Sequence, residues 1–274
     1  MIGIIDVGGG MRGVYGAGVL DYFLDQDVHF DYCLGVSSGS ANIASFVARQ
    51  KERNYRFYTE HILHRGFMGM SAFIRGNSFF NLDYIYSTLT NEIDPIDYET
   101  ILASKSIFKV QATHADSGKP HYFSTSDFST KNCSALKASS AIPVACRPVK
   151  VNGRFFFDGG VSEPIPVKKA FEDGCEKVYV ILTKPLHILM GPEKFKPLYR
   201  LLLRRYPEIV KALDRRSAMY NDSIKELIQM AKADKVTIIA PRETFEVNTA
   251  SRNIDNIKRL YQSGYRDAAE CFSV

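Results

Sequence analysis

The sequence predicts a three-layer α/β fold, with a mainly parallel central sheet and helices on both faces. Two successive units of apolar strand, glycine-bearing turn and small-residue helix occupy the first 53 residues. Further β-branched strand patterns recur downstream, and no internal repeat or low-complexity linker divides the chain. Strand, loop and helix in alternation call for parallel pairing through right-handed crossovers. At 274 residues, 45% hydrophobic and 24% charged, the chain is long enough to bury a substantial core and reads as globular.

Residues 2–7, IGIIDV, are apolar and β-branched, a buried strand ending in Gly8-Gly9-Gly10. From Val14 to Leu24 the apolar positions Val14, Ala17, Val19, Leu20, Phe23 and Leu24 recur at helical spacing. A second strand, Tyr32 to Val36, runs into Ser37 and a helix from about Ala41 to Arg53. Residues 55–95, rich in Phe, Met and Gly, break the rhythm and read as an insertion or lid over one end of the sheet. Strand patterns follow at 107–115, 120–124, 154–158, 177–183 and 235–240, with Ser117-Gly118 as a hairpin turn between the first two. From Pro185 onward the chain is mostly helical around one strand. The expected organisation is one domain over 1–274, with a core of about 2–184 and a helix-rich extension from 185.

The charge balance, 35 Lys and Arg against 30 Asp and Glu, gives +5 and an isoelectric point near 8.8. That is compatible with an anionic membrane surface or an acidic substrate, and it calls for no nucleic-acid partner. Cys33, Cys133, Cys146, Cys175 and Cys271 form no C-x-x-C pair and leave one over, which fits a reduced intracellular setting. Only about five apolar residues precede Asp6 and the glycine loop, short of a signal core of roughly 7 to 15. No apolar run reaches the roughly 18 residues of a membrane span, so the expected location is the cytoplasm, with peripheral contact at the inner membrane surface.

Gly35-Val36-Ser37-Ser38-Gly39 sits where strand two meets its helix. It reads either as a nucleophile elbow, with the hydroxyl at the carboxyl end of a strand, or as a small-residue turn with a helix N-cap. Gly8-Gly9-Gly10-Met11-Arg12-Gly13 turns unpaired N–H groups and a helix N-terminus toward one spot, a nest for an oxyanion supplemented by the N–H of Ser38. The same glycines fit a dinucleotide fingerprint, but Asp31 lies at the start of strand two, where that fingerprint wants an acid at its end. The last histidine is His187, so the Ser, acid, His order of the α/β-hydrolases has no support downstream, and the six histidines read as surface or core residues rather than metal ligands. The strand RFFFD ends in Asp158-Gly159-Gly160, either a hairpin turn or a strand-end carboxylate able to approach a serine hydroxyl.

GGGMRG, GVSSG and DGG, in that order and on that strand pattern, together with KASSAIPVACRPV at 137–149, resemble the patatin-like phospholipase family over roughly residues 2–184. The resemblance implies a serine acyl hydrolase of lipid or other carboxylic esters working through a Ser-Asp dyad, with no metal or organic cofactor. By position it implies Ser37 as nucleophile and Asp158 as general base. Gly9, Gly10 and Ser38 become the oxyanion donors, with Gly8, Arg12, Gly13, Gly35, Gly39, Gly159 and Gly160 supporting the motifs and Arg12 ordering its loop or meeting a phosphate. VSEPIPV after Asp158, with Glu163 ahead of Pro164, departs from the Asn and Pro that many relatives carry there. Phe67, Met68, Met70, Phe73, Phe79 and Phe80 wall an acyl pocket or form a second core cluster. Residues 196–216 set Leu198, Leu201, Leu202, Tyr206, Ile209, Val210 and Leu213 among basic side chains, a surface for anionic membranes or a stripe packed on the domain, broken in two near Pro207. Two other function classes stand beside the hydrolase, a non-catalytic lipid-binding or regulatory module on the same fold and a nucleotide-binding oxidoreductase.

Overall fold

The structure, a computed structural model, describes residues 1–69, 78–192 and 194–272. β1 (Ile2–Asp6) leads through the glycine loop and a 3-10 turn at Gly10–Gly13 into α1 (Val14–Asp25). β2 (Tyr32–Val36) leads through Ser37 into α2 (Ser38–Val47), which begins three residues before the expected start. α2 stops short of Arg53 because the chain turns through Arg49 and Glu52 at positive φ before α3 (Arg53–Thr59). A π-helical stretch, Tyr84–Ile93, and α4 (Tyr98–Ala103) bring the chain to β3 (Ile107–His114).

β3 and β4 (Pro120–Ser124) form the expected hairpin, closed where the Gly118 N–H donates to the His114 carbonyl at 2.8 Å. α5 (Ser134–Ser139) and β5 (Val149–Val151) precede β6 (Arg154–Asp158). β5, at three residues, is too short to show an alternation in the sequence. After β6 come α6 (Val167–Glu172), β7 (Lys177–Ile181), α7 (Lys196–Leu202), α8 (Pro207–Lys232), β8 (Val236–Ile239) and α9 (Ile254–Phe272). The segment 196–216 is thus two helices, with Pro207 opening the second, where its missing N–H costs nothing.

These strands make one eight-stranded sheet in the order β5-β6-β3-β2-β1-β7-β8, with β4 on the other edge of β3. The centre, β3-β2-β1-β7-β8, is parallel, and β4, β5 and β6 pair antiparallel. One detail of register positions the site. β2 ends with Val36 opposite Gln111, and β6, running the other way on the same edge of β3, ends with Asp158 opposite Ala112. Two strands distant in sequence therefore terminate head to head on neighbouring residues of β3.

The strand period of two sends Ile4 to one side of the sheet and Ile5 to the other. Ile4 joins a core with residues of α1, α2 and α9, whereas Ile5 joins residues of α6 and α8. α9 lies along α1, where a side chain on Gly18 would strike the Tyr261 carbonyl and one on Gly264 the Tyr15 carbonyl. Of the Phe/Met-rich stretch, Phe67 and Met68 are buried in the larger core, Phe80 packs against it and Phe79 is exposed. Met70 and Phe73 lie outside the described residues.

Candidate active site

Ser37 joins β2 to α2 with φ 56° and ψ −133°, a conformation costly for any residue with a Cβ. Its neighbours hold it there. The Ser37 N–H donates to Ser139 Oγ at 2.8 Å, and its carbonyl accepts from the Ser40 N–H at 2.9 Å and the Ser40 hydroxyl at 2.6 Å. The flanking glycines are required by close approach: a Cβ on Gly35 would run into the Ser40 backbone, and one on Gly39 into the Asp6 carbonyl. So tight a corner projects the Ser37 side chain out of the end of the sheet.

The glycine loop is tied to that corner through Asp6, a residue the sequence reading did not single out. Asp6 is fully buried, and its Oδ1 accepts the Gly8 N–H at 2.8 Å. Its Oδ2 accepts from Asn42 Nδ2 at 2.8 Å, and that amide also donates to the Gly13 carbonyl at 2.8 Å. Burial pushes the Asp6 carboxyl up to about 6 in spite of these bonds. Thr183 Oγ1 donates to the Gly8 carbonyl, and the Met11 N–H donates to the Thr249 carbonyl at 3.2 Å. A charged residue closing an apolar strand was the signal for Asp6, but nothing local marks Asn42, Thr183 or Thr249.

One expected donor is already engaged. The Gly9 N–H donates to Ser38 Oγ at 3.0 Å. Gly10 opens the 3-10 turn and Ser38 opens α2, so neither amide has an acceptor within its own helix. Arg12 flanks Gly9, and its buried Nε has no hydrogen-bond partner among the described residues. Desolvation lowers its pKa, with the cation of Arg216 acting in the same direction.

Asp158 ends β6, almost entirely buried, and Gly159–Val161 form a short 3-10 turn rather than a hairpin. Its Oδ1 accepts the Gly160 N–H at 2.8 Å, and the Gly160 carbonyl accepts from Arg216 Nε of α8 at 2.8 Å. Desolvation raises the Asp158 carboxyl above its ordinary range, opposed by the Ser37 hydroxyl as a hydrogen-bond partner and by the charge of Arg216. The sheet register has thus brought the two ends expected to hold chemistry face to face. Thr113 Oγ1 donates to the Asp158 carbonyl at 2.8 Å, fixing the turn to β3.

Ser37 stands between two cavities of different character. A cleft of about 810 Å³ contains Ser37, Asp158 and the glycine loop, with Arg12, Lys184, Lys194 and Arg216 in its lining and Phe195, Leu198 and Tyr220 on its outer wall. A narrow apolar pocket of about 50 Å³ opens on its other side, lined by Phe57, Phe67, Phe80, Leu82, Ile85 and Tyr86. α7 and α8 contribute to the lining of the large cleft, and no described residue of 55–95 does. No histidine lines either cavity among the described residues, and no cluster of potential metal ligands occurs among them.

The patatin-like phospholipase family model matches residues 7–171, more than half of the chain, and so spans the glycine loop, the Ser37 corner and Asp158. The chain belongs to the patatin-like phospholipase family. A second model, for a domain of unknown function, DUF6363, matches residues 206–273 of this patatin-like chain, the stretch from α8 to α9. YjjU of Escherichia coli K12, described as uncharacterized, is 32% identical over 208 residues, which is 73% of this chain and 57% of YjjU. The crystal structure of VipD from Legionella pneumophila aligns with a TM-score of 0.52 at 11% identity, covering 99% of this chain and 66% of VipD. At that identity the likeness concerns the fold alone. The chain spans less than two thirds of either protein. Family membership supports lipid-ester chemistry in general.

Proposed function

We propose that this chain is a serine acyl hydrolase of lipid carboxylic esters, of phospholipase A or lysophospholipase type, with Ser37 as nucleophile and Asp158 as general base. The observation that carries the reading is the strained Ser37 corner facing a buried carboxylate whose second support is the Gly160 N–H. Asp158 Oδ accepts the Ser37 proton as Oγ attacks the ester carbonyl, and the N–H groups of Gly10 and Ser38 hold the oxyanion. Collapse expels the alcohol, which takes the proton from Asp158 and leaves an acyl-serine. Water then gives a proton to Asp158 as its oxygen attacks the acyl carbon, and the Oγ–acyl bond breaks with Ser37 Oγ taking that proton back, which releases the carboxylic acid. An ordinary aspartate is a weak base at neutral pH, and the desolvation that raises Asp158 corrects this in the needed direction.

The two cavities suit the two halves of such a substrate. The small apolar pocket takes the first carbons of the acyl chain next to the ester, and the wide cleft takes the alcohol with its headgroup, where the Arg12 side chain is part of the lining. Among the described residues no helix is long and apolar enough to cross a membrane. The test is a fluorophosphonate probe with mass spectrometry, alongside hydrolysis of a short-chain p-nitrophenyl ester. An adduct on Ser37, with Ser37→Ala and Asp158→Asn each lowering turnover by about 10³-fold or more, is the expected result. A wild-type protein that neither labels nor turns over, with or without vesicles, overturns it.

A further inference from the structure

α7 is apolar on both sides, which a helix at the surface of a globular protein ordinarily is not. Tyr199 and, in the turn that follows, Leu203 face inward to a small cluster with Phe157, Ile209 and Leu213. Leu198, Leu201 and Leu202 face outward and are 52%, 62% and 56% exposed. Phe195, just before the helix, is 77% exposed and held at φ 58°, and Ile188 and Leu189 are exposed beside it in sequence. So the apolar stripe of 196–216 divides: α8 buries its share against the domain, and α7 presents its share to solvent. Contiguous exposed apolar surface of this kind marks a contact site.

Charge identifies the occupant. Residues 185–216 hold eight Lys and Arg against three Asp and Glu, a surplus of five that equals the net charge of the entire chain. The other residues balance in number, and five of the eight, Lys194, Lys196, Arg200, Arg204 and Arg205, lie in or directly beside α7. Lys194, Arg204 and Arg205 are exposed next to the outward leucines. Phe195 and Leu198 also line the cleft that contains Ser37, which puts the patch at its mouth.

We propose that residues 194–205 form a docking surface for an anionic lipid bilayer. Leu198, Leu201, Leu202 and Phe195 enter the acyl boundary, the basic side chains meet the lipid phosphates, and the cleft opens at the interface where an ester substrate resides. The choice of occupant rests on the lipid-ester reading above, but docking itself requires no turnover.

The experiment is therefore co-sedimentation of the Ser37→Ala protein with vesicles of phosphatidylcholine, with and without phosphatidylglycerol. Binding to the phosphatidylglycerol vesicles that weakens with added salt is expected. Leu201→Ser/Leu202→Ser and, separately, Arg204→Glu/Arg205→Glu are each expected to reduce that binding by about tenfold or more. Circular dichroism and the thermal midpoint, unchanged in both variants, show that the fold is kept. Absence of binding at low salt, or binding unaffected by either double substitution, overturns the proposal. So does sedimentation showing that Leu201→Ser/Leu202→Ser turns a dimer into a monomer without altering vesicle binding, which would give the patch to a second copy of the chain. A protein that docks as expected but never labels at Ser37 would leave this inference standing and remove the hydrolase reading.

Discussion

Arg216 reaches the turn after Asp158 from a helix that the patatin-like match does not include. Its Nε holds the carbonyl of Gly160 while the Gly160 N–H holds Asp158 Oδ1, so one peptide unit transmits its position to the carboxylate. Asp158 is faced by the Ser37 hydroxyl, by Arg216, and by Tyr86 and Cys146, whose own ionisation it opposes. A general base must be ionised to act, and a nearby cation favours that form. Arg216→Gln is accordingly expected to raise the Asp158 carboxyl, moving the acid limb of fluorophosphonate labelling against pH to higher pH, with a rate loss of about tenfold or more. Arg216→Lys, keeping the charge but not the planar donor, should restore most of the limb and less of the rate. An unmoved limb in Arg216→Gln would reduce Arg216 to a packing role. Asp6 makes a second prediction at this scale. Its folded-state value of about 6 lies above the ordinary 3.8, so the folded protein binds this proton more tightly than the unfolded chain. Its contribution to stability is present at the lower value and is lost as pH rises through about 6, a change of about 3 kcal/mol at most. Denaturant titrations should show Asp6→Asn gaining on the wild type across that window, whatever its offset at low pH.

At the scale of elements, the crossing of α1 and α9 depends on missing side chains. Gly18 and Gly264 let the backbones touch, flanked by Tyr15 O–H donating to Asp267 at 2.7 Å and Tyr261 O–H donating to Asp21 at 2.8 Å. Gly264→Ala puts a methyl group on the Tyr15 carbonyl and is expected to cost roughly 1–3 kcal/mol by separating the helices, read from the denaturant midpoint. The π-helical stretch offers a functional counterpart. Ile85 is buried and lines the apolar pocket beside Ser37. Ile85→Ala should cost roughly 2–5 kcal/mol and shift preference in a p-nitrophenyl ester series toward bulkier acyl groups. A preference that stays in place would detach the pocket from the acyl chain. The strands at this scale were legible because β-branched or aromatic runs bounded by turn residues are a local pattern, whereas β5 was too short to carry one. The start of α2 was misplaced because the corner at Ser37 feeds the helix without an intervening loop.

For the whole molecule, the C-terminal third completes both the sheet and the site. β8 extends the parallel sheet beyond β7, α8 covers one face, α9 covers the other, and the Thr249 carbonyl holds the Met11 N–H of the glycine loop. We infer that residues 1–274 unfold as one unit. A single calorimetric transition is expected, and a chain ended after residue 184 should fail to fold, because β7 would be left as an open edge and α1 without its partner. Two separate transitions, or a folded truncated chain, would contradict this.

By itself the sequence determined the α/β class, the strand-turn-helix units and the candidates Ser37, Asp158 and the glycine loop. These are local facts: hydrophobic periodicity, glycines where backbone must pass close, and a hydroxyl or carboxyl at a strand end. Only the tertiary structure decided that Ser37 and Asp158 meet, because their approach depends on two strands sharing one edge of β3. It also decided that the Gly9 amide is held by Ser38, that Asp6 and Arg216 brace the two halves of the site, and that residues beyond 183 share in lining the large cleft. Hydrogen-bond partners and packing faces are chosen between segments far apart in the chain, and no spacing within either segment records the choice.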